Sequence, residues 1–267
     1  MMVGLVFALL VALANVAPLS AIGENPMDLN TFAGIITGIG HMLQNNVETI
    51  DLPSKLMMGR WFQMYKAAVN FDVYKTQMFC SVAYFKPNAV MGEDGFSMEE
   101  AYKVSAKNGP VETYKRDMNK VGSGQYWMYT EEYFYPRQFY IIKAGPDFDN
   151  ETMEGNVQYF VATDANRLAL MVYARDPLTF YQKYNKEVLN YLEEAGFGGK
   201  VFWNSPRPIY QGPDCEWPSE KEVFARRVLK NQEANERAKN GNGGSQSPIA
   251  DIIQNPQATL QKLVQGR

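Results

Sequence analysis

Between residues 60 and 175 the chain is a succession of short aromatic-rich runs separated by turn residues, a texture that few folds can use. The runs are 60–66, 77–85, 97–106, 112–118, 125–133, 138–143, 157–163 and 168–174. Their Tyr, Phe, Val and Met content suits a pleated, half-buried surface. The breaks include Lys86-Pro87-Asn88, Gly92-Glu93-Asp94-Gly95, Asn108-Gly109-Pro110, Gly122-Ser123-Gly124 and Pro136. Gly, Pro, Asn and Asp supply the dihedral angles and local hydrogen bonds that reverse a chain. Short strands at regular spacing indicate an antiparallel sandwich or barrel. A barrel removes the edges that such aromatic strands would otherwise expose. Eight strands is the count at which an up-and-down barrel is just wide enough for one small ligand. The predicted fold is therefore mainly β: an eight-stranded antiparallel up-and-down barrel, with one helix packed outside and helical or disordered extensions at both ends.

The outer helix is predicted over residues 176–195. Asp176 is a favoured N-cap and Pro177 a favoured first helical residue. Leu178, Tyr181, Tyr184, Val188, Leu189, Leu192 and Ala195 recur at helical spacing, and Gly196 fits the stop. Val201-Phe202-Trp203 is a candidate short final strand.

The ends differ from this middle. Residues 1–21 hold an apolar run, Leu5 to Leu13, followed by Asn15, Pro18 and small residues. That reads as a signal peptide, since a spanning helix needs about 20 apolar residues. No other stretch could cross a bilayer as a helix, so the mature protein is expected to be secreted and extracellular, with no transmembrane segment. Residues 22–56 form a leader, with a marginal helix over 31–43 weakened by Gly34, Gly38 and Gly40. The barrel with its helix takes 57–217 and a tail 218–267. The tail is charged and helix-forming to Asn240, then continues through the flexible Asn240–Ser245 linker to an Ile- and Leu-bearing end that could dock to an extracellular protein partner.

Chemistry is sparse. The formal net charge of −3 argues against a nucleic-acid partner. One histidine, His41, cannot serve a Ser-His-Asp arrangement with anything near it, and no metal-ligand cluster, phosphate-cradling Gly loop or CxxC is present. The protein is expected to be neither an enzyme nor dependent on a cofactor or metal. Acidic pairs such as Glu99-Glu100, Glu131-Glu132 and Glu193-Glu194 read as solvated faces. Cys80 and Cys215 are the only two cysteines, and an oxidising compartment favours one disulfide between them. Asn150-Glu151-Thr152 is an N-glycosylation sequon after a turn-like cluster.

Three segments together resemble the lipocalin family over roughly residues 52–215. The first is Gly59-Arg60-Trp61-Phe62-Gln63-Met64-Tyr65, like the Gly-x-Trp that opens the family's first strand. The second is Thr163-Asp164 followed by Leu168 to Tyr173, like the Thr-Asp turn that joins two late strands near that Trp. The third is Arg175 before Asp176-Pro177, like the Arg that stacks on the Trp and bonds nearby carbonyls. The resemblance implies a barrel floor made of Gly59, Trp61, Thr163, Asp164 and Arg175. It also places Cys80 and Cys215 where the family ties an early strand to the segment after the helix. One mismatch stands: the family usually has another strand between the Thr-Asp hairpin and the Arg-helix junction. Here either a strand has been lost late or one inserted early, and a count of eight requires the second. Arg226-Arg227 is a rival for the stacking role but follows the helix and Cys215. A few lipocalin-like proteins are enzymes using a cavity Cys, a role open to Cys80 only if it were unpaired.

The resemblance further implies a small hydrophobic ligand, such as a fatty acid, sterol or retinoid, inside the barrel. An extracellular matrix or scaffold protein acting through barrel and tail is the alternative. Period two then nominates the lining. If Trp61 points inward, so do Gln63 and Tyr65; if Arg175 does, so do Tyr173 and Met171. Phe79 and Phe85, or Met78 and Tyr84, line the second strand. Tyr126 and Met128, or Trp127 and Tyr129, line the fifth.

Overall fold

Eight antiparallel strands pair in sequence order and the last returns to the first. They are β1 (Gly59–Lys66), β2 (Met78–Pro87), β3 (Phe96–Val104), β4 (Val111–Gly122), β5 (Gln125–Thr130), β6 (Tyr133–Asp149), β7 (Glu154–Thr163) and β8 (Leu170–Ala174). Strand β1 bonds to β2 on one side and β8 on the other, so the sheet is a closed barrel. The computed structural model describes residues 47–67, 77–130, 133–149, 151–198 and 204–240. The signal peptide, the 31–43 helix, His41, Asn150, Glu131-Glu132, the 201–203 strand and the 241–267 tail lie outside them.

Two expected breaks shift: Lys86 and Pro87 extend β2, pairing with Ser97 and Phe96, and Pro136 falls within a strand. Pro136 sits inside β6, between the residues paired as Thr130↔Tyr133 and Met128↔Arg137, where the register shifts. A bulge is where a strand tolerates a missing N–H. Strand β6 is thereby much longer than the 138–143 run, and β5 ends at Thr130.

Alternation sorts the residues into two apolar layers. Trp61, Phe85, Phe96, Met118, Tyr126, Met128, Phe139, Phe160, Met171 and Tyr173 form the inner cluster. Phe62, Val82, Tyr84, Val161, Leu170 and Val172 form an outer one, covered by Phe180, Val188 and Leu192 of the helix. That helix runs as α2 (Pro177–Thr179), a π-helical segment (Phe180–Tyr184) and α3 (Asn185–Glu194). Asp176 caps it, its carboxylate accepting the Thr179 N–H at 2.7 Å. Each fully buried apolar side chain on this face contributes about 1.5–3 kcal/mol relative to exposure.

Two further segments complete the shell. Residues 47–57, ending in α1 (Ser54–Met57), cover one end of the barrel, with Leu52 and Met57 wholly buried. After the outer helix the chain re-enters the wall. The two-residue strand β9 (Arg207–Pro208) pairs with Tyr65 and Lys66 of β1, and Tyr210 bridges to Phe79 of β2. The pairing of β1 with β2 runs only from Gly59↔Phe85 to Phe62↔Val82. Beyond it the two strands part, and the 207–211 segment fills the opening. Ile209 donates to the Met64 carbonyl, Cys80 donates to that of Tyr210, and the Gln211 amide donates to the carbonyls of both Gln63 and Ser81. The disulfide Cys80–Cys215, Cα atoms 5.3 Å apart, fastens this insert to β2.

The final helix α4 (Glu220–Asn240) starts from a capping box that sequence reading had not singled out: Ser219 and Glu222 bond each other reciprocally. Val223 is buried against the barrel, Arg227 reaches Glu99 and Lys230 reaches Glu112. The described part of the tail is thus spent on its own barrel.

Candidate functional site

The closed end of the barrel is built around Trp61. Its indole is wholly buried and its Nε1–H donates to the Met57 carbonyl at 2.6 Å. The Arg175 guanidinium lies over the ring at 3.8 Å from the centroid. It also donates to the carbonyls of Leu56 at 2.9 Å and Arg60 at 3.1 Å. Burial lowers the Arg175 pKa to about 10, which still leaves it protonated at neutral pH. Gly59 has φ +95°, and a Cβ there would stand 3.3 Å from Arg175 Nη1. Only glycine adopts that backbone without strain. Arg227 is elsewhere, beside Glu99 on the outer wall.

Rings fill the barrel above this plug. Trp61 meets Phe160 at 4.9 Å and Phe85 at 6.3 Å, and Phe85 meets Phe96 and Tyr173 at 5.7 Å each. Phe96 continues to Tyr126 at 5.1 Å, and Tyr126 to Phe139 at 6.3 Å. Such edge-to-face pairs contribute about 0.5–1.5 kcal/mol each beyond area burial.

Away from Trp61 the inner face turns polar. Gln63 stands opposite Tyr173 and is wholly buried, with no hydrogen-bond partner for either side-chain atom among the described residues. One residue along β2 from the last β1–β2 pair, Ser81 donates to Glu100 at 2.8 Å. Glu100 in turn holds Arg116 at 2.7 Å, their side chains 0% and 1% exposed. Tyr102 stacks on Tyr114 at 5.6 Å, and with Met78 and Ile209 they form a separate apolar cluster.

The nominated lining residues divide. Gln63, Phe85, Tyr126, Met128, Met171 and Tyr173 share the inner face. Tyr65 does not. Two β1 residues oppose one of β8 between Gln63 and Tyr65, so Tyr65 turns outward, its hydroxyl donating to Asn185 of α3 at 2.7 Å, and Lys66 takes the inward position. Phe79 is also outward, its ring 6.4 Å from Tyr210. The cause is an extra residue between Phe79 and Val82, with Cys80 at φ +51°. A bulge reverses every side chain beyond it. Strand β2 therefore offers Phe85 from one nominated pair and Met78 from the other.

Thr163 and Asp164 are not at the floor. They follow β7 at the end away from Trp61, where Ala67 bonds Leu170. Thr163 Oγ1 donates to the Ala169 carbonyl at 2.6 Å, and Asp164 accepts from Leu168 and Ala169. Burial raises the Asp164 pKa against the pull of those bonds. The floor-side hairpin is instead the one between β6, ending at Asp149, and β7, starting at Glu154, with Glu151 and Thr152 exposed. No strand has been inserted or lost.

Glu100 was missed as an interior residue because Glu99-Glu100 read as solvated. The signal was present: neighbours in a strand face opposite sides, so in a closed barrel one of an acidic pair must point inward. Glu99 lies on the outer wall under Arg227. Glu193-Glu194 is exposed on α3. Cys80, bonded to Cys215, holds no free thiol. A concavity of about 680 Å³ lies outside the barrel between Pro177, Leu178, Tyr181, Ile209, Tyr210 and Trp217. No described helix is long and apolar enough to cross a membrane.

A family model described as a lipocalin domain matches residues 37–204. No curated protein sequence matches the chain. Among solved structures it is similar to lobster apocrustacyanin A1, with 10% identity and TM-score 0.43, covering 67% of this chain and 96% of that one. Apocrustacyanin C1 gives 11%, 0.42, 67% and 96%. Japanin from Rhipicephalus appendiculatus bound to cholesterol gives 10%, 0.41, 61% and 98%. The match to the lipocalin domain over most of the barrel, on a closed eight-stranded sheet, makes this chain a member of the lipocalin family.

Proposed function

We propose that the protein is a secreted carrier of a small hydrophobic molecule held in the barrel, of the fatty acid, sterol or retinoid kind. The observation that carries this reading is the division of the inner face. One end is sealed by rings and a stacked guanidinium; farther along the same inner face, which also carries Met171 and Met128, Gln63 stands opposite Tyr173 with an amide that has no hydrogen-bond partner among the described residues. Flexible, polarizable side chains adapt to an apolar guest, and a few polar groups orient it. Nothing in the site needs a metal, and the disulfide suits an oxidising compartment. The Asn150 sequon, whose Glu151 and Thr152 are exposed, is proposed to carry a glycan. The proposed signal peptide, residues 1–21, is expected to be absent from the mature chain.

The reading is tested by native mass spectrometry of protein recovered from culture medium, followed by organic extraction. A bound mass that extraction removes, and displacement of a fluorescent lipid probe, are the expected results. Protein that is empty and binds no apolar probe would sink it.

A further inference from the structure

The charged groups on the inner face are already engaged, whereas several uncharged ones are not. Arg116 holds Glu100, and Lys120 holds Asp51 and Asp94. Lys66, turned inward by the bulge, has an interaction partner as well, as does Arg137, paired opposite Met128. The uncharged atoms without a hydrogen-bond partner among the described residues of this face include both side-chain atoms of Gln63, Tyr126 Oη and Thr130 Oγ1. By register, Thr130 is opposite Arg116 and Gln63 is opposite Tyr173. Gln63 is held in place through its backbone, whose carbonyl accepts from Gln211 at 2.9 Å, while its carboxamide is 0% exposed. A buried amide without partners is costly, and the interior keeps a donor and an acceptor there together.

We propose, resting on the carrier reading above, that the ligand bears a neutral hydrogen-bonding head, a hydroxyl, carbonyl or carboxamide, and that Gln63 recognises it. A carboxylate would have to compete for Arg116 and Lys120 with the carboxylates they already hold, and Glu100, bonded to Ser81 of the neighbouring strand, adds repulsion. A neutral head gives Gln63 the bond it lacks and disturbs no ion pair. Fatty acids thereby become the poorest of the ligand kinds named for the carrier, and sterol-, alcohol- or amide-headed molecules the best.

The test compares three probes with the same C18 chain, oleyl alcohol, oleamide and oleate, by titration of delipidated full-length mature protein at pH 7.5. The expected result is that alcohol and amide bind at least about tenfold more tightly than oleate, and that Gln63→Leu lowers their affinity about tenfold with oleate unchanged. Thermal melting of the variant, with the Cys80–Cys215 bond intact by mass, shows that it is folded. The wild-type comparison of the three probes stands on its own should the variant fail to fold. Oleate binding as tightly as the neutral probes, or a folded Gln63→Leu variant that keeps full affinity for them, overturns the inference and leaves the carrier reading standing. Failure of all three probes, together with a cholesterol probe, overturns both.

Discussion

The two ends of the barrel interior solve different problems. At the closed end the Trp61 Nε1–H and the Arg175 guanidinium have carbonyl partners, and Trp61 meets Phe160 edge to face. Farther from Trp61, buried charges are paired at close range, and the side-chain atoms of Gln63 and Thr130 have no hydrogen-bond partner among the described residues. The first arrangement is what stability alone would select. The second retains desolvated polar groups that a sealed core would replace with Leu or Met. The contrast teaches that satisfied and unsatisfied polar groups can share one wall of one sheet, separated only by height.

Perturbing each end should separate these roles. The largest effect is expected at the floor: Trp61→Ala should lower unfolding stability by about 4 kcal/mol, read from urea denaturation, through lost burial and a cavity beneath Arg175. A loss below about 1 kcal/mol would mean that the plug is dispensable. Next is Arg116→Met, which strands Glu100 in the interior and should cost about 3–4 kcal/mol. The double variant Glu100→Leu with Arg116→Met should recover most of that loss, because volume is kept and no charge remains. If the double variant is as unstable as the single one, the pair is structural and the contrast between the ends weakens.

Replacing Cys80 and Cys215 by Ala should cost about 2–4 kcal/mol, since the bond spans 135 residues and constrains the unfolded chain. Hydrogen exchange should report that loss first in β1 beyond Phe62 and in β2 before Val82, and last around Trp61. The smallest effect is expected of Gln63→Leu without ligand: a gain of about 1 kcal/mol in unfolding stability, because an unsatisfied amide is removed. A loss instead would show that the amide supports the fold.

Much of this architecture was legible in the chain. The alternation of aromatic runs with Gly, Pro, Asn and Asp located all eight strands, and Asp176-Pro177 located the outer helix. Local chemistry decides those features. Which way a given side chain points was legible only up to the next bulge. Period two carried Trp61 to Gln63 correctly and failed at Tyr65; it placed Phe85 inward and misplaced Phe79. A bulge is set by what the neighbouring strands and the 207–211 insert require, and no local pattern announces it. The Thr163-Asp164 pair misled for another reason. A short turn sequence is satisfied at any hairpin, and here its bonds to Leu168 and Ala169 serve the end away from Trp61. The partnerless amide of Gln63 was nominated by parity, but its lack of a partner is a property of the assembled interior.

The 207–211 insert also sets an order of assembly. Residues 47–175 contain the parts that seal the floor, from the 47–57 cover through β8 to Arg175. The upper wall between β1 and β2 is finished only by β9, Tyr210 and Gln211, with Cys80 waiting for a cysteine 135 positions later. During vectorial synthesis the vessel therefore acquires its base first and is stitched along its side last. A chain arrested before residue 207 is expected to be a cup with a split side, parted where β1 and β2 leave each other beyond Phe62 and Val82.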